Sequence, residues 1–113
     1  MQIAVTSQNF RTITGHAGKT RRFLVYRADP DGVAEVERID LPKEMSLHEY
    51  HGDDHPLFGM DVVVTASCGE GFMRRLARHG VNVIATAETD PLRAAQIISA
   101  GQSLPPAAPH THD

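Results

Sequence analysis

Seven histidines and one cysteine are the residues of this 113-residue chain with the richest chemistry. His16 stands in Gly15-His16-Ala17-Gly18. A neutral imidazole is a good iron ligand, and glycines on either side let backbone approach a bulky ligand. Cys68 opens Cys68-Gly69-Glu70-Gly71, a tight turn between an apolar run and a helical pattern. A thiol at a helix N-terminus is expected to favour the thiolate, the metal-binding form. A third group is His48-Glu49-Tyr50-His51-Gly52-Asp53-Asp54-His55. On a helix, His48 and His51 would share a face, while Gly52 and Pro56 separate His55 from them. Each group also has a structural use: loop hydrogen bonding for His16, core packing for Cys68, a solvated polar loop for the histidine-acid run.

These groups need elements to position them. Ile3 and Val5 mark a short first strand at 2–6, followed by a polar loop over 7–20. Phe23-Leu24-Val25-Tyr26 forms a second strand, and Asp29-Pro30-Asp31-Gly32 is a turn that makes a hairpin with a third strand at 33–41. Ser46-Leu47-His48-Glu49 has the spacing of a capping box, predicting a short helix of two turns at most. Asp61–Ser67 is almost continuously apolar, hence a central strand covered on both faces. A helix over 72–79 stops at Gly80, a fifth strand spans 81–85, and Asp90-Pro91 caps a last helix that ends at Gly101. The predicted class is α/β: a mixed five-stranded sheet with helices packed on it. If strands one and four lie side by side in parallel, loops 7–20 and 67–71 open at one edge, and the chain after strand three starts there as well. Open α/β sheets place ligands at such an edge. That would bring His16, His48, His51 and Cys68 near one another.

Composition narrows the function classes. The hydrophobic fraction is 41% and the charged fraction 22%, ordinary for one globular domain. Apolar runs of about five residues fall far short of the roughly twenty that span a membrane, and the N-terminus lacks a signal-peptide pattern. One cysteine excludes an internal disulfide or a four-cysteine site within one chain, and the expected compartment is the reducing cytosol. The net charge of −3 argues against nucleic acid. It divides unevenly: residues 1–28 carry five basic residues and no acid, whereas 29–61 carry ten acids against Arg38 and Lys43. The expected domain covers 1–101. The expected tail, 102–113, is rich in proline, carries His110 and His112, and is expected to be disordered, with adventitious metal capture its main chemistry.

The N-terminal strand, Gly15-His16-Ala17-Gly18-Lys19-Thr20 and the aromatic strand after it resemble the dinitrogenase iron–molybdenum cofactor biosynthesis family. So do the valine strand, the small-residue turn at 67–71, Val81-Asn82-Val83-Ile84 and Thr89-Asp90-Pro91. The resemblance covers 1–101. Members commonly show His-Phe-Gly where this chain has His16-Ala17-Gly18, and the 42–60 segment here is richer in histidine. The resemblance implies a ribonuclease-H-like fold and a non-catalytic carrier or chaperone; the chain is expected to be a monomer. Its cargo would be an iron–sulfur or iron–molybdenum cluster or a precursor, with nitrogenase assembly proteins as partners. His16, Gly18, Cys68 and Gly69 would contact the cluster, and His16, Cys68, His48 and His51 are the candidate ligands. A competing enzyme reading comes from the Cys68-x5-Arg74 spacing, which resembles the phosphate loop of cysteine phosphatases. Glu70 inside that loop and Arg75 after Arg74 count against it. A third reading is a regulatory partner-binding domain without a cluster.

Overall fold

In the computed structural model, which describes residues 1–108, five strands form one mixed sheet. They are β1 (Gln2–Thr6), β2 (Arg22–Asp29), β3 (Gly32–Asp40), β4 (Val62–Thr65) and β5 (Asn82–Ala85). Helix α1 (Glu70–Ala77) joins β4 to β5, and α2 (Pro91–Ser99) follows β5. The order across the sheet is β3-β2-β1-β4-β5. β1 runs antiparallel to β2 and parallel to β4, with Ile3, Ala4 and Val5 opposite Val62, Val63 and Val64. The predicted neighbourhood of strands one and four is therefore present.

Alternation along the strands builds two cores. Ala4, Phe23, Val25, Val63 and Val83 face one side, against Leu76 of α1 and against Leu41, Leu47 and Leu57 from the flanking segments. Ile3, Val5, Leu24, Tyr26, Val62 and Val64 face the other, against Ala94 and Ala95 of α2. All four residues of β4 are buried, as a strand covered on both faces must be. β3 is an edge strand with most residues exposed; a register shift against Val25/Tyr26 breaks its alternation. The helix ends follow local rules. Asp90 accepts hydrogen bonds from the Leu92 and Arg93 amides. Gly80 (φ 77°) and Gly101 (φ 73°) take the left-handed turn that closes α1 and α2, with Val81 N donating to Leu76 O and Gln102 N to Ile97 O.

Two expectations differ from the structure. Residues 42–59 hold no α-helix. They form two 3₁₀ turns, Lys43–Met45 and Pro56–Gly59, around a single turn in which the Ser46 carbonyl accepts from the Glu49 and Tyr50 amides. The cause is the spacing of apolar anchors: Leu41, Leu47 and Leu57 all reach the core, at intervals no helical face provides. The second difference concerns 102–108. Thr86 Oγ1 donates to Pro105 O (2.6 Å), Ala87 N donates to Pro106 O (3.2 Å), and Leu104 packs on the α2-side core. This part of the expected disordered tail is docked, because Thr86 is buried and needs a partner for its hydroxyl. His110 and His112 lie outside the described residues.

Loop 7–20 enters the sheet at one point. Thr14 N donates to Thr6 O (2.9 Å) and Thr14 O accepts from Ala66 N (3.1 Å), so Thr14 sits between the ends of β1 and β4. Thr65 Oγ1 supports this insertion, 3.2 Å from Thr14 O, 2.9 Å from Thr6 Oγ1 and 3.1 Å from Ser67 O. Thr65→Val keeps the volume but removes both the buried hydroxyl's donated bond and the acceptor of the Thr6 Oγ1 bond. It should cost about 1–3 kcal/mol, read as a lower midpoint in urea denaturation with an unchanged slope.

Candidate functional site

The Thr14 insertion delivers the next residues to the loop after β4. A side chain at Gly15 would run into Ser67 Oγ and turn that hydroxyl away, so glycine suits this crossing. Ser67 Oγ instead accepts the His16 amide (2.9 Å), and Ser67 O accepts the Ala17 amide (3.1 Å). His16 takes a left-handed conformation (φ 55°), and its carbonyl accepts from Lys19 N and Thr20 N. The buried Thr20 hydroxyl reaches Gly15 O (3.0 Å) and His16 O (3.2 Å). The tight turn leaves Ala17 in the core and the His16 side chain exposed at the edge of the sheet.

His16, Ala17, Gly18, Lys19, His48, Ser67, Cys68 and Gly69 line one open depression of about 350 Å³. Added Cβ atoms at Gly18 and Gly69 would meet nothing within 4 Å, so the space these glycines leave is the depression itself. His48 joins through its backbone, its amide donating to Gly18 O (2.6 Å), which fastens the 42–60 segment to the His16 loop. The structure thus gathers His16, Gly18, His48, Cys68 and Gly69. It does not bring His51 to them. His51 lines a separate depression with Asp53, Gly71, Arg75, Arg78 and His79, because without a helix at 46–51 the two histidines share no face.

Cys68 is half-buried, packed against the α1-side core, and burial pushes its thiol up from the ordinary value. This burial disfavours the expected thiolate, and Cys68 precedes the N-cap Gly69 rather than lying in the first turn of α1. Arg74 is exposed on α1 and is not among the residues lining the depression. Cys68 and Arg74 therefore do not line one shared depression. Among the described residues, no three His, Cys, Asp or Glu side chains are grouped to hold a single metal ion. Two imidazoles, a thiol and a lysine instead border the open floor of Gly18 and Gly69.

Residues 1–100 match the family described as dinitrogenase iron-molybdenum cofactor. The chain belongs to that family. Comparison with curated proteins gave no match. Three solved structures share the fold at low identity. PH0822 is 18% identical with a TM-score of 0.70, over 92% of this chain and 96% of its own. A protein from Methanocaldococcus jannaschii, provisionally described as a dinitrogenase, is 12% identical with a TM-score of 0.67, over 90% of each chain. A Thermotoga protein, provisionally described as NifB and assigned to the DUF35 family, is 14% identical with a TM-score of 0.62, over 99% of this chain and 98% of its own. The family membership associates the chain with nitrogenase cofactor chemistry, and the neighbours support the fold.

Two residues of this family member's site region lacked a clear signal in the sequence. Ser67 matters through a contact with Gly15 that only the pairing of β1 with β4 creates. His55 is buried, with Nε2 2.7 Å from Met45 O and Nδ1 accepting from Leu57 N (3.1 Å). The amide donor at Nδ1 places the ring proton on Nε2. His55 therefore caps the Pro56–Gly59 turn as a neutral imidazole, and His-Pro at a turn start is the sequence cue. Burial lowers its pKa, with Arg75 adding to the shift against the opposing Met45 hydrogen bond and Asp54. A lowered folded-state pKa means the unfolded chain binds the proton first, so stability falls as pH drops below about 6.5. The thermal midpoint should decline from pH 7.5 to pH 5, and the decline should be shallower in His55→Gln. Equal slopes in melts of the two proteins would remove His55 as the cause.

Proposed function

We propose that this protein binds and carries an iron–sulfur or iron–molybdenum cluster, or its precursor, as cargo in nitrogenase cofactor assembly, without catalysing a reaction. The observation that carries the reading is the depression where His16, His48 and Cys68 meet around the open floor of Gly18 and Gly69. A preassembled cluster contains its bridging sulfides, so one or two protein ligands suffice to hold it. His16 supplies an exposed imidazole on a backbone held by Ser67 and Thr20. Cys68 binds on losing its proton, which metal coordination drives. Lys19 sits beside them and favours negative charge. The carrier works as a monomer in the cytosol and exchanges its cargo with assembly proteins.

Anaerobic titration with purified iron–molybdenum cofactor, desalting, and iron and molybdenum analysis tests the proposal. His16→Ala should weaken binding at least about tenfold, equivalent to about 1.4 kcal/mol. Cys68→Ala and His48→Ala should lose less, with folding verified by circular dichroism. If His16→Ala binds like the parent while a His48/His51 double variant loses the cluster, the site has been assigned to the wrong histidines.

The reduced protein should leave p-nitrophenyl phosphate intact. A thiol-dependent turnover abolished by both Cys68→Ser and Arg74→Ala would replace the carrier by a phosphatase.

A further inference from the structure

A second cleft of about 490 Å³ adjoins the depression and shares Lys19 and His48 with it. Its remaining walls are Arg21, Lys43, Ser46 and Glu49. The three cations come from three segments: the His16 loop, the residue preceding β2, and the first 3₁₀ turn. Hydrogen bonds hold the backbone that carries two of them. Arg21 N donates to Gln8 Oε1 (3.1 Å) and Arg21 O accepts from Leu41 N (2.8 Å), while Met45 N closes the Lys43 turn on Pro42 O (2.9 Å).

The ion pairs among the described residues are Arg22–Asp40, Arg38–Glu35 and Arg93–Glu88; none engages Lys19, Arg21 or Lys43. The unpaired charges stand out because the chain has a net charge of −3 and the 29–61 segment is strongly acidic. The fold draws three like charges into one concavity and sets only Glu49 among them. Unpaired, they repel one another; a concave wall of one sign concentrates field and attracts counter-charge. Half-buried Arg21 offers a planar donor fork, and the lysines offer point charges. Ser46 adds a hydroxyl that can donate to an oxyanion.

We infer that this cleft is a binding site for a small, multiply charged oxyanion, a polycarboxylate or a polyphosphate, held by Lys19, Arg21 and Lys43. Its volume lies within the roughly 300–1,000 Å³ of small-molecule sites. The cleft stands without the cluster: it uses neither Cys68 nor His16.

The test is calorimetric titration of the cluster-free protein with citrate and, separately, with pyrophosphate at low salt. Saturable one-to-one binding of either is expected, weakening as potassium chloride rises and exposed charges are screened within about 10 Å at 0.1 M. The tighter anion identifies which oxyanion class the cleft takes. The Arg21→Gln/Lys43→Gln double variant should lose at least about tenfold in affinity, a gap of about 1.4 kcal/mol. Arg27→Gln lies at the opposite end of β2, where Arg27 pairs with Gln2, and should stay near the parent. Amide spectra of each variant establish that it folds. Failure of both anions to bind the parent, or equal losses in the double variant and in Arg27→Gln, would overturn the site. Arg21 and Lys43 do not line the cluster depression, so failure here is distinguishable from failure of the cluster titration.

Discussion

The architecture of the site rests on one backbone insertion. Parallel strands β1 and β4 diverge at their C-terminal ends, and Thr14 fills the gap with its amide on Thr6 and its carbonyl on Ala66. A parallel pair that opens in a buried place leaves a donor and an acceptor unmatched, each costing about 1–3 kcal/mol. Thr14 meets both, and the Thr6 and Thr65 hydroxyls share its carbonyl from below. A loop pinned in this way has little freedom in the residues that follow. Gly15 must cross Ser67 closely, His16 must turn left-handed, and the imidazole must emerge at the sheet edge.

The facing wall is built by another principle. Segment 42–60 has little regular structure and is held by what it buries. Leu47 and Leu57 enter the core, His55 bridges Met45 to Leu57, and Arg75 of α1 donates to Leu47 O (2.7 Å) while lying over the Phe58 ring. The two walls meet at the bond from His48 N to Gly18 O. The depression therefore joins a loop clamped by sheet hydrogen bonds to a segment clamped by side chains. The second kind of clamp includes a titratable ring, so the two walls respond differently to acid.

Much of the frame was legible because it rests on local rules. The valine run of β4, the Asp90-Pro91 start and the glycine stops of both helices follow from burial, capping and left-handed turns, and each is where those rules put it. The shared edge of β1 and β4 followed from topology. Segment 42–60 was misread because Ser46 and Glu49 match a cap while the tertiary anchors Leu41, Leu47 and Leu57 set the path. A cap contributes about 1 kcal/mol, whereas burying a leucine contributes about 1.5–3 kcal/mol, so the core prevails. The same misreading placed His51 beside His48. Ser67 carries no pattern of its own, and its role emerges only once Gly15 lies against it.

The proposed carrier would have to hold its cargo and give it up, and the site's construction bears on both demands. Structural metal sites close a full shell of protein ligands around the ion. Here the side chains at the depression border one open face, two imidazoles and one thiol whose charged form burial disfavours. Releasing a metal from such a thiol returns the proton, which the raised pKa favours. The same desolvation that weakens Cys68 as a nucleophile thus weakens its grip as a ligand. His16 is exposed, and its backbone is held by Ser67. In the proposed carrier the imidazole makes the first contact and the thiol supplies a reversible second one.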